Sequence, residues 1–450
     1  MNIRTLSIST CVSLVACLSA CQPTAPQVTQ TPFEPDSGDL FVRCGALIDG
    51  ISDETFHDRM VVIQDGRISN IVDGDAEVRP GMEYLDLGDK TCMPGLINTH
   101  VHLATKPEDA VDYSIYYTNK TDYFAQETLT FSEITLMTGF TTVRQVGAWF
   151  PEAITFGREQ IDSGQALGPR IRHGGPYMTI PGGGGSLAVP YIDTSEIPPI
   201  TQQGTARGAD EFREKAKLAV AKDYDFLKVI ASGAVFSFGE SPGAPEMTQE
   251  EIAAVVDVAH EAGIKVTAHV HSAQSGIDAI LAGVDSIEHA SLLTDEVIAM
   301  AAEAGVAFSM DVYNGTYTDT VGREQAYPEE YLQRNFDTTE AQRVVFEKAY
   351  AAGVPILYGT DAGVLPHDMG GWQFAIMVER GMSPMDAIKS ATSLPADHME
   401  IASDVGAIEV GRFGDLIAVS GNPLKDMALM RDVDVVVKGG LVFKNQESND

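Results

Sequence analysis

Residues 265–291 read KVTAHVHSAQSGIDAILAGVDSIEHAS. Two strand-like runs, KVTAHVH (265–271) and DSIEHAS (285–291), enclose a stretch of helical length. Strand, helix and strand in so short a span form a βαβ unit, whose strands run parallel. The pattern repeats in both directions. Upstream lie GLINTHVH (95–102), TTVRQVG (141–147), PRIRHGG (169–175) and DFLKVIAS (225–232). Downstream lie VAFSMDVY (306–313) and PILYGTDAG (355–363). Helical stretches such as DEFREKAKLAVAKD and MTQEEIAAVVDVAHEAG separate many of them. Eight strand–helix alternations within residues 94–404 predict an α/β fold, the (β/α)8 TIM barrel. A doubly wound sheet has the same alternation and is the structural alternative.

All-β pieces flank this middle. LFVRCGALIDG, RMVVIQDGRISNIV and EYLDLGDKTCM precede it, punctuated by Asp65-Gly66 and Asp73-Gly74 as in hairpins. GDLIAVSG and VDVVVKGGLVFKN follow it. Neither piece has enough strands for a stable sheet, so one β-domain of residues 39–93 plus 405–450 is expected from both ends of the chain.

Residues 1–21, MNIRTLSISTCVSLVACLSAC, place one arginine before an apolar run that ends in small residues. This is the pattern of a signal peptide, residues 1–20. Leu18-Ser19-Ala20-Cys21 resembles a bacterial lipobox, in which the cysteine is lipidated. Gln22 follows in place of Asp, which by resemblance to Gram-negative sorting favours the outer membrane facing the periplasm. Residues 21–38 are polar and Pro-rich, as a tether should be. The lipid is then the expected membrane contact, since no other segment offers a long uncharged apolar run. Cys44 and Cys92 remain to pair in an oxidising compartment, or to stay as two buried thiols.

With 30 Lys+Arg against 64 Asp+Glu, the net charge of −34 repels nucleic acid and anionic head groups. At 44% hydrophobic and 21% charged residues the chain is globular. Gly182 to Gly185 reads as a loop and lacks the Lys-Ser/Thr of a phosphate cradle.

The chemistry lies in the histidines. His57, His260 and His398 fall where surface or packing roles suffice. His100, His102, His269, His271 and His289 fall at strand ends, as do Lys228 and Asp361. In a barrel those ends form one mouth. The i, i+2 pair His100/His102 shares a strand face and alone is a weak metal signal. Four imidazoles and a carboxylate converging from separate strands are a stronger one. Buried polar groups need partners, and no excess of carboxylates is present to satisfy four imidazoles. Divalent ions such as zinc accept this N/O set. Lys228 does not fit as an ammonium beside cations. Its neutral amine can take up CO2 to give a carbamate, a two-oxygen anion that can bridge two metals. A Lys228–Asp361 pair in a metal-free site is the alternative.

MPGLINTHVHL, KVIASGA, YGTDAG, GAIEVGRFGDLIAVSGNPLKDM and the stretch from residue 266 to 291 closely resemble the amidohydrolase superfamily, nearest its imidazolonepropionase-like and Xaa-Pro-dipeptidase-like branch. The resemblance runs from about residue 40 to the end. It implies a (β/α)8 barrel with a small β-sandwich and a centre of two divalent ions, zinc the first choice. His100 and His102 would bind the more buried ion together with Asp361. His269 and His289 would bind the second, and carboxylated Lys228 would bridge. Asn98, Gln145 and the Gly182–Gly185 segment depart from the usual pattern; none is a metal ligand.

The function expected is hydrolysis of an amide in a dipeptide or N-acyl amino acid. A hydroxide bridging the metals would be the nucleophile, with Asp361 as proton carrier. A cyclic amide or lactone hydrolase and a catalytically dead surface binding protein are the alternatives. His271, Tyr177 and His367 are candidates to touch substrate, each with a packing role as alternative. Arg144 reads better as a structural salt bridge than as a carboxylate receptor. Oligomeric state is left open, a homo-oligomer included.

Overall fold

The computed structural model describes residues 40–78, 83–188 and 192–446. The signal segment, Cys21 and the tether lie outside them.

Four strands open the fold: β1 (Leu40–Ile48), β2 (Thr55–Gln64), β3 (Arg67–Asp73) and β4 (Glu83–Pro94). The barrel staves follow: β5 (Leu96–Val101), β6 (Phe140–Gln145), β7 (Arg170–His173), the two-residue β8 (Tyr177–Met178) and β9 (Phe226–Ile230). Next come β10 (Lys265–Ser272), β11 (Ser286–Leu292), β12 (Ala307–Met310) and β13 (Ile356–Tyr358). The chain closes with β14 (Leu416–Ser420), β15 (Val435–Lys438) and β16 (Leu441–Asn445).

The terminal strands make one seven-stranded sheet in the order β16-β15-β14-β4-β1-β2-β3. Its β1–β4 pair is parallel; the other pairs are antiparallel. The sheet curls on itself. Ile68 N donates to Arg412 O, Gly414 N to Gly66 O, and Gly440 N to Gly414 O, so the β2–β3 turn meets the far end of the chain. Val42, Val61, Ile63, Ile68, Leu416 and Val437, from both ends of the sheet, fill one core. Cys44 on β1 and Cys92 on β4 share it, joined by a disulfide with Cα atoms 5.8 Å apart.

Pro94 and Gly95 carry the chain from β4 straight into the barrel. Neighbouring barrel strands pair in parallel throughout. Closure between last and first staves comes from Val101 against Ala362, with Asp361 N donating to His100 O at 2.9 Å. Asn98 reinforces this seam: its Nδ2 donates to Thr360 Oγ1, and its Oδ1 accepts from the backbone of His100 and Thr360. The third expected strand, 169–175, is shorter than its pattern. Gly174-Gly175-Pro176 breaks it, and Pro176 lacks an N–H for the ladder. The chain resumes as β8, which pairs with β9 and so brings Tyr177 to the mouth.

Both faces of β5, β6 and β9 are buried, one under helices and one in the barrel lumen. The outer helices are set by local chemistry. Thr248 caps Gln249–Glu261, its hydroxyl accepting from Glu251 N while the Glu251 carboxylate accepts from Thr248 N. Glu251 also accepts from Gly208 N, tying this helix to its neighbour Gly208–Val220. No helix among the described residues is long and apolar enough to cross a membrane.

Candidate metal centre

Five imidazoles, two carboxylates and an amine meet in one cavity at the C-terminal ends of the staves. Each histidine there has one ring nitrogen held by the protein and the other turned to the shared centre. His100 Nδ1 donates to Glu288 Oε2 (2.8 Å) and His289 Nδ1 to Asp311 Oδ1 (3.0 Å). His271 Nδ1 is hydrogen-bonded to Ser291 Oγ (2.9 Å) and His102 Nδ1 to Tyr177 Oη (3.1 Å), hydroxyls that can serve either tautomer. His269 uses its Nε2, toward Gly233 O at 3.3 Å. The carboxylate and carbonyl partners fix the tautomers of His100, His289 and His269 and aim the remaining lone pair inward, as at metal-binding histidines.

The Nε2 atoms of His100 and His102 stand 3.3 and 3.2 Å from Asp361 Oδ1. His269, His271 and His289 form one triplet of close ligand atoms; His100, His289 and Asp361 form a second. Lys228 lies between the clusters' strands, buried, with no hydrogen-bond partner for Nζ. Burial pushes its amine down to about 8 against the pull of Glu288. Imidazoles, a carboxylate and an amine lacking a partner are a donor set that suits a divalent ion. Burial depresses His102, and burial with His289 beside it depresses His269, so both favour the neutral, ligating form. For His100 burial acts the same way, but Asp361 and Glu288 outweigh it and raise the ring. At Asp361 burial opposes the charge, yet His100 and His102 hold the carboxyl well below its usual range.

Three residues at this centre leave ordinary backbone space: His289 (φ 67°), Ala290 (φ 56°) and Asp361 (φ 56°). Non-glycine residues there bear about 1–2 kcal/mol each. On β11 the excursion overturns strict alternation. Glu288 and His289 are consecutive, yet Glu288 reaches His100 and His289 lines the cavity.

Glu288 and Asp311 correct the expectation that carboxylates are scarce. Fully buried Glu288 also accepts from Arg144 Nη2 at 2.5 Å and from the Thr267 hydroxyl. Burial works against its charge, but Arg144, Lys228 and His100 prevail and hold it well below the carboxylate range. Asp311 also accepts from Gln342 Nε2 at 2.7 Å. Both acids stand in DSIEHAS and VAFSMDVY as visible strand residues. The missing signal was the left-handed turn that lets neighbours on β11 both serve the centre.

Arg144 is the structural pair expected of it, also donating to Thr99 O and Ser286 Oγ. Tyr177 and His271 line the cavity. His367 does not. Its Nε2 donates to Thr105 O, Nδ1 lies 3.4 Å from the Thr135 hydroxyl, and the ring stacks on Phe131, so the expected substrate contact is replaced by packing. Gln145 is spent on Leu103 N and Gly147 O. Of the Gly182–Gly185 segment, Gly184 and Gly185 form part of the cavity wall, with Gly184 N donating to Glu246.

Residues 91–442 match the amidohydrolase family model. The chain belongs to the amidohydrolase family. Among solved amidohydrolase structures, a Xaa-Pro dipeptidase with methionine in its active site is 33% identical, with a TM-score of 0.84 over 91% of this chain and 100% of the other. A prolidase complexed with N-methylphosphonate-L-proline is 25% identical, with a TM-score of 0.83 over 90% and 100%. The ochratoxinase of Aspergillus niger is 26% identical over 434 residues, 90% of this chain and 86% of its own. The TIM barrel with its β-domain and the hydrolase class follow from this membership.

Proposed function

We propose that this amidohydrolase uses two divalent ions, zinc first, to cleave the amide bond of a dipeptide or an N-acyl amino acid. One observation carries the reading: five histidines have one nitrogen anchored and one aimed inward, around Asp361 and the amine of Lys228. His100, His102 and Asp361 would hold the first ion, His269 and His289 the second. Lys228 would bridge as its carbamate. CO2 adds to the neutral Nζ, an N–C bond forms, and one proton leaves to solvent. Bound ions would supply Lewis acidity and a nucleophilic water ionised near neutral pH.

The chain's own groups do the rest. Asp361 is aimed by Asn314, whose Nδ2 donates to Oδ2 at 3.1 Å. It takes a proton at its carboxylate and returns it to the leaving nitrogen. His271 turns Nε2 to the cavity, and in the tautomer whose Nδ1 accepts from the Ser291 hydroxyl that nitrogen carries the proton and can donate to the substrate carbonyl oxygen. Tyr177 steadies His102. The relatives named for Xaa-Pro dipeptide cleavage support a small peptide-like substrate. Export to the periplasm on a lipid at Cys21 is part of the proposal.

The test is purified protein loaded with zinc, assayed for metal content and against Xaa-Pro, other dipeptides and N-acyl amino acids. Two metals per chain and turnover of at least one class are expected. A fully loaded protein inert on every amide refutes the reading.

A further inference from the structure

A ladder of aromatic rings leads from the metal centre to the surface. His102 and Tyr177 have ring centroids 6.0 Å apart, Tyr177 and Trp149 5.4 Å, Trp149 and Tyr113 5.7 Å, and Tyr113 and Phe238 5.5 Å. Tyr177, Trp149 and Tyr113 line the cavity. Phe238 ends the ladder, packed also against Tyr331 (6.2 Å between centroids) and 41% exposed. Phe236, from the same loop, adds a further apolar surface to the cavity, and its carbonyl accepts from Tyr113 Oη at 2.5 Å. Two devices hold this wall in shape. Trp149 Nε1 donates to Gly185 O, fixing the indole plane. Arg334 donates to the carbonyls of Ala234, Ser237 and Gly239, fixing the loop that carries both phenylalanines.

Charge is distributed differently. Among the described residues lining the cavity, Lys228 is the sole lysine or arginine, and it is buried at the metal centre. Arg334 is committed to three carbonyls and to Glu330. The mouth therefore offers a rigid apolar wall and no side-chain cation to receive a carboxylate. Rings recognise flat apolar groups through area and edge or face contact.

We infer that the substrate carries a flat aromatic group attached to the scissile amide, which lies along the Tyr177–Trp149–Tyr113–Phe238 wall. The inference rests on the hydrolase reading only for which bond is cut. Recognition is by ring surface, so replacing a distant carboxylate by a carboxamide leaves selectivity in place.

The experiment compares two series on the zinc-loaded protein. One is glycine acylated with acetyl, benzoyl or 2-naphthoyl. The other is N-acetyl alanine, phenylalanine and tryptophan, each also as the C-terminal carboxamide. In at least one series kcat/KM should rise with ring size, by roughly tenfold per ring gained. Trp149→Leu and Phe238→Ser should shrink the ratio of aryl to small substrate, chiefly through KM; a merely structural role would lower both members alike. Calorimetry with the neutral probe N-methyl-2-naphthamide should show binding that N-methylacetamide lacks and that Phe238→Ser weakens. If amides are cleaved without ring preference and the naphthamide binds no better than the acetamide, the inference is wrong and the hydrolase reading survives. If no amide is cleaved but the naphthamide binds and Phe238→Ser weakens it, the wall stands and the hydrolase reading falls.

Discussion

Asp361 sits at φ 56° with one carboxylate oxygen near two imidazoles and the other held by Asn314. Asn tolerates that backbone better than most residues and keeps an oxygen toward the histidines. It cannot exchange a proton at neutral pH. Asp361→Asn is therefore expected to retain most of its metal and to lose turnover by at least about 100-fold, the low end for a general acid–base group; a rate within a few-fold of wild type would show that another group carries the proton. Lys228 is a different test. If Lys228 bridges as proposed, removing its amine takes away the bridging anion, so Lys228→Ala should fall below two metals per chain and lose hydrolysis. Short carboxylic acids should restore part of both by filling the vacated space. Lys228→Arg should restore neither, because guanidinium stays protonated. Glu288 holds His100, Arg144 and Thr267 together. Glu288→Gln leaves the buried Arg144 without its anion, at a cost of about 3–5 kcal/mol. Denaturant titration reads the stability loss, and metal analysis reads the loosened His100.

At the scale of elements, strand ends carry the site, and strand alternation makes much of it readable. His100 with His102 and His269 with His271 share faces because side chains repeat every second residue. Glu288 was not readable beside His289 by the same rule, since it assumes ordinary β dihedrals through residues that turn left-handed. Nor was β8, because Gly174-Gly175-Pro176 looks like the end of a strand and is a break inside one. The aromatic wall escaped for another reason: Tyr113, Trp149 and Phe238 come from three loops, and loops have no period. The β1–β4 pair invites its own test. The Cys44–Cys92 crosslink spans 48 residues, and restraining such a loop in the unfolded chain stabilises the fold by about 4 kcal/mol. Cys44→Ser with Cys92→Ser should lower the melting temperature strongly while leaving metal stoichiometry intact in the folded protein, as calorimetry and metal analysis would show.

The whole molecule joins a barrel to a sheet drawn from both chain ends, so the site is complete only when residues far apart in sequence have met. His100 and Asp361 touch across 261 positions. The net charge of −34 also belongs to this scale, keeping polyanions away from the surface. For the export proposal, Cys21→Ser should abolish partition into detergent and yield precursor or soluble protein, whereas wild type partitions with the membrane fraction. A serine variant that still enters detergent would leave the lipid anchor without support.

The disulfide has a mechanical consequence. Load applied to the chain ahead of Leu40 enters the fold along β1. That strand lies between β2 and β4, so a lengthwise pull shears rows of hydrogen bonds instead of unzipping them one by one. The Cys44–Cys92 bond then passes the remaining force to β4 as covalent tension. From Cys92 the backbone runs on through Pro94 and Gly95 into β5, while a second row of hydrogen bonds shares the load with β14. The sheet thus divides a pull on its first strand between rows of hydrogen bonds and one covalent link, so that β5 and His100 receive only part of it.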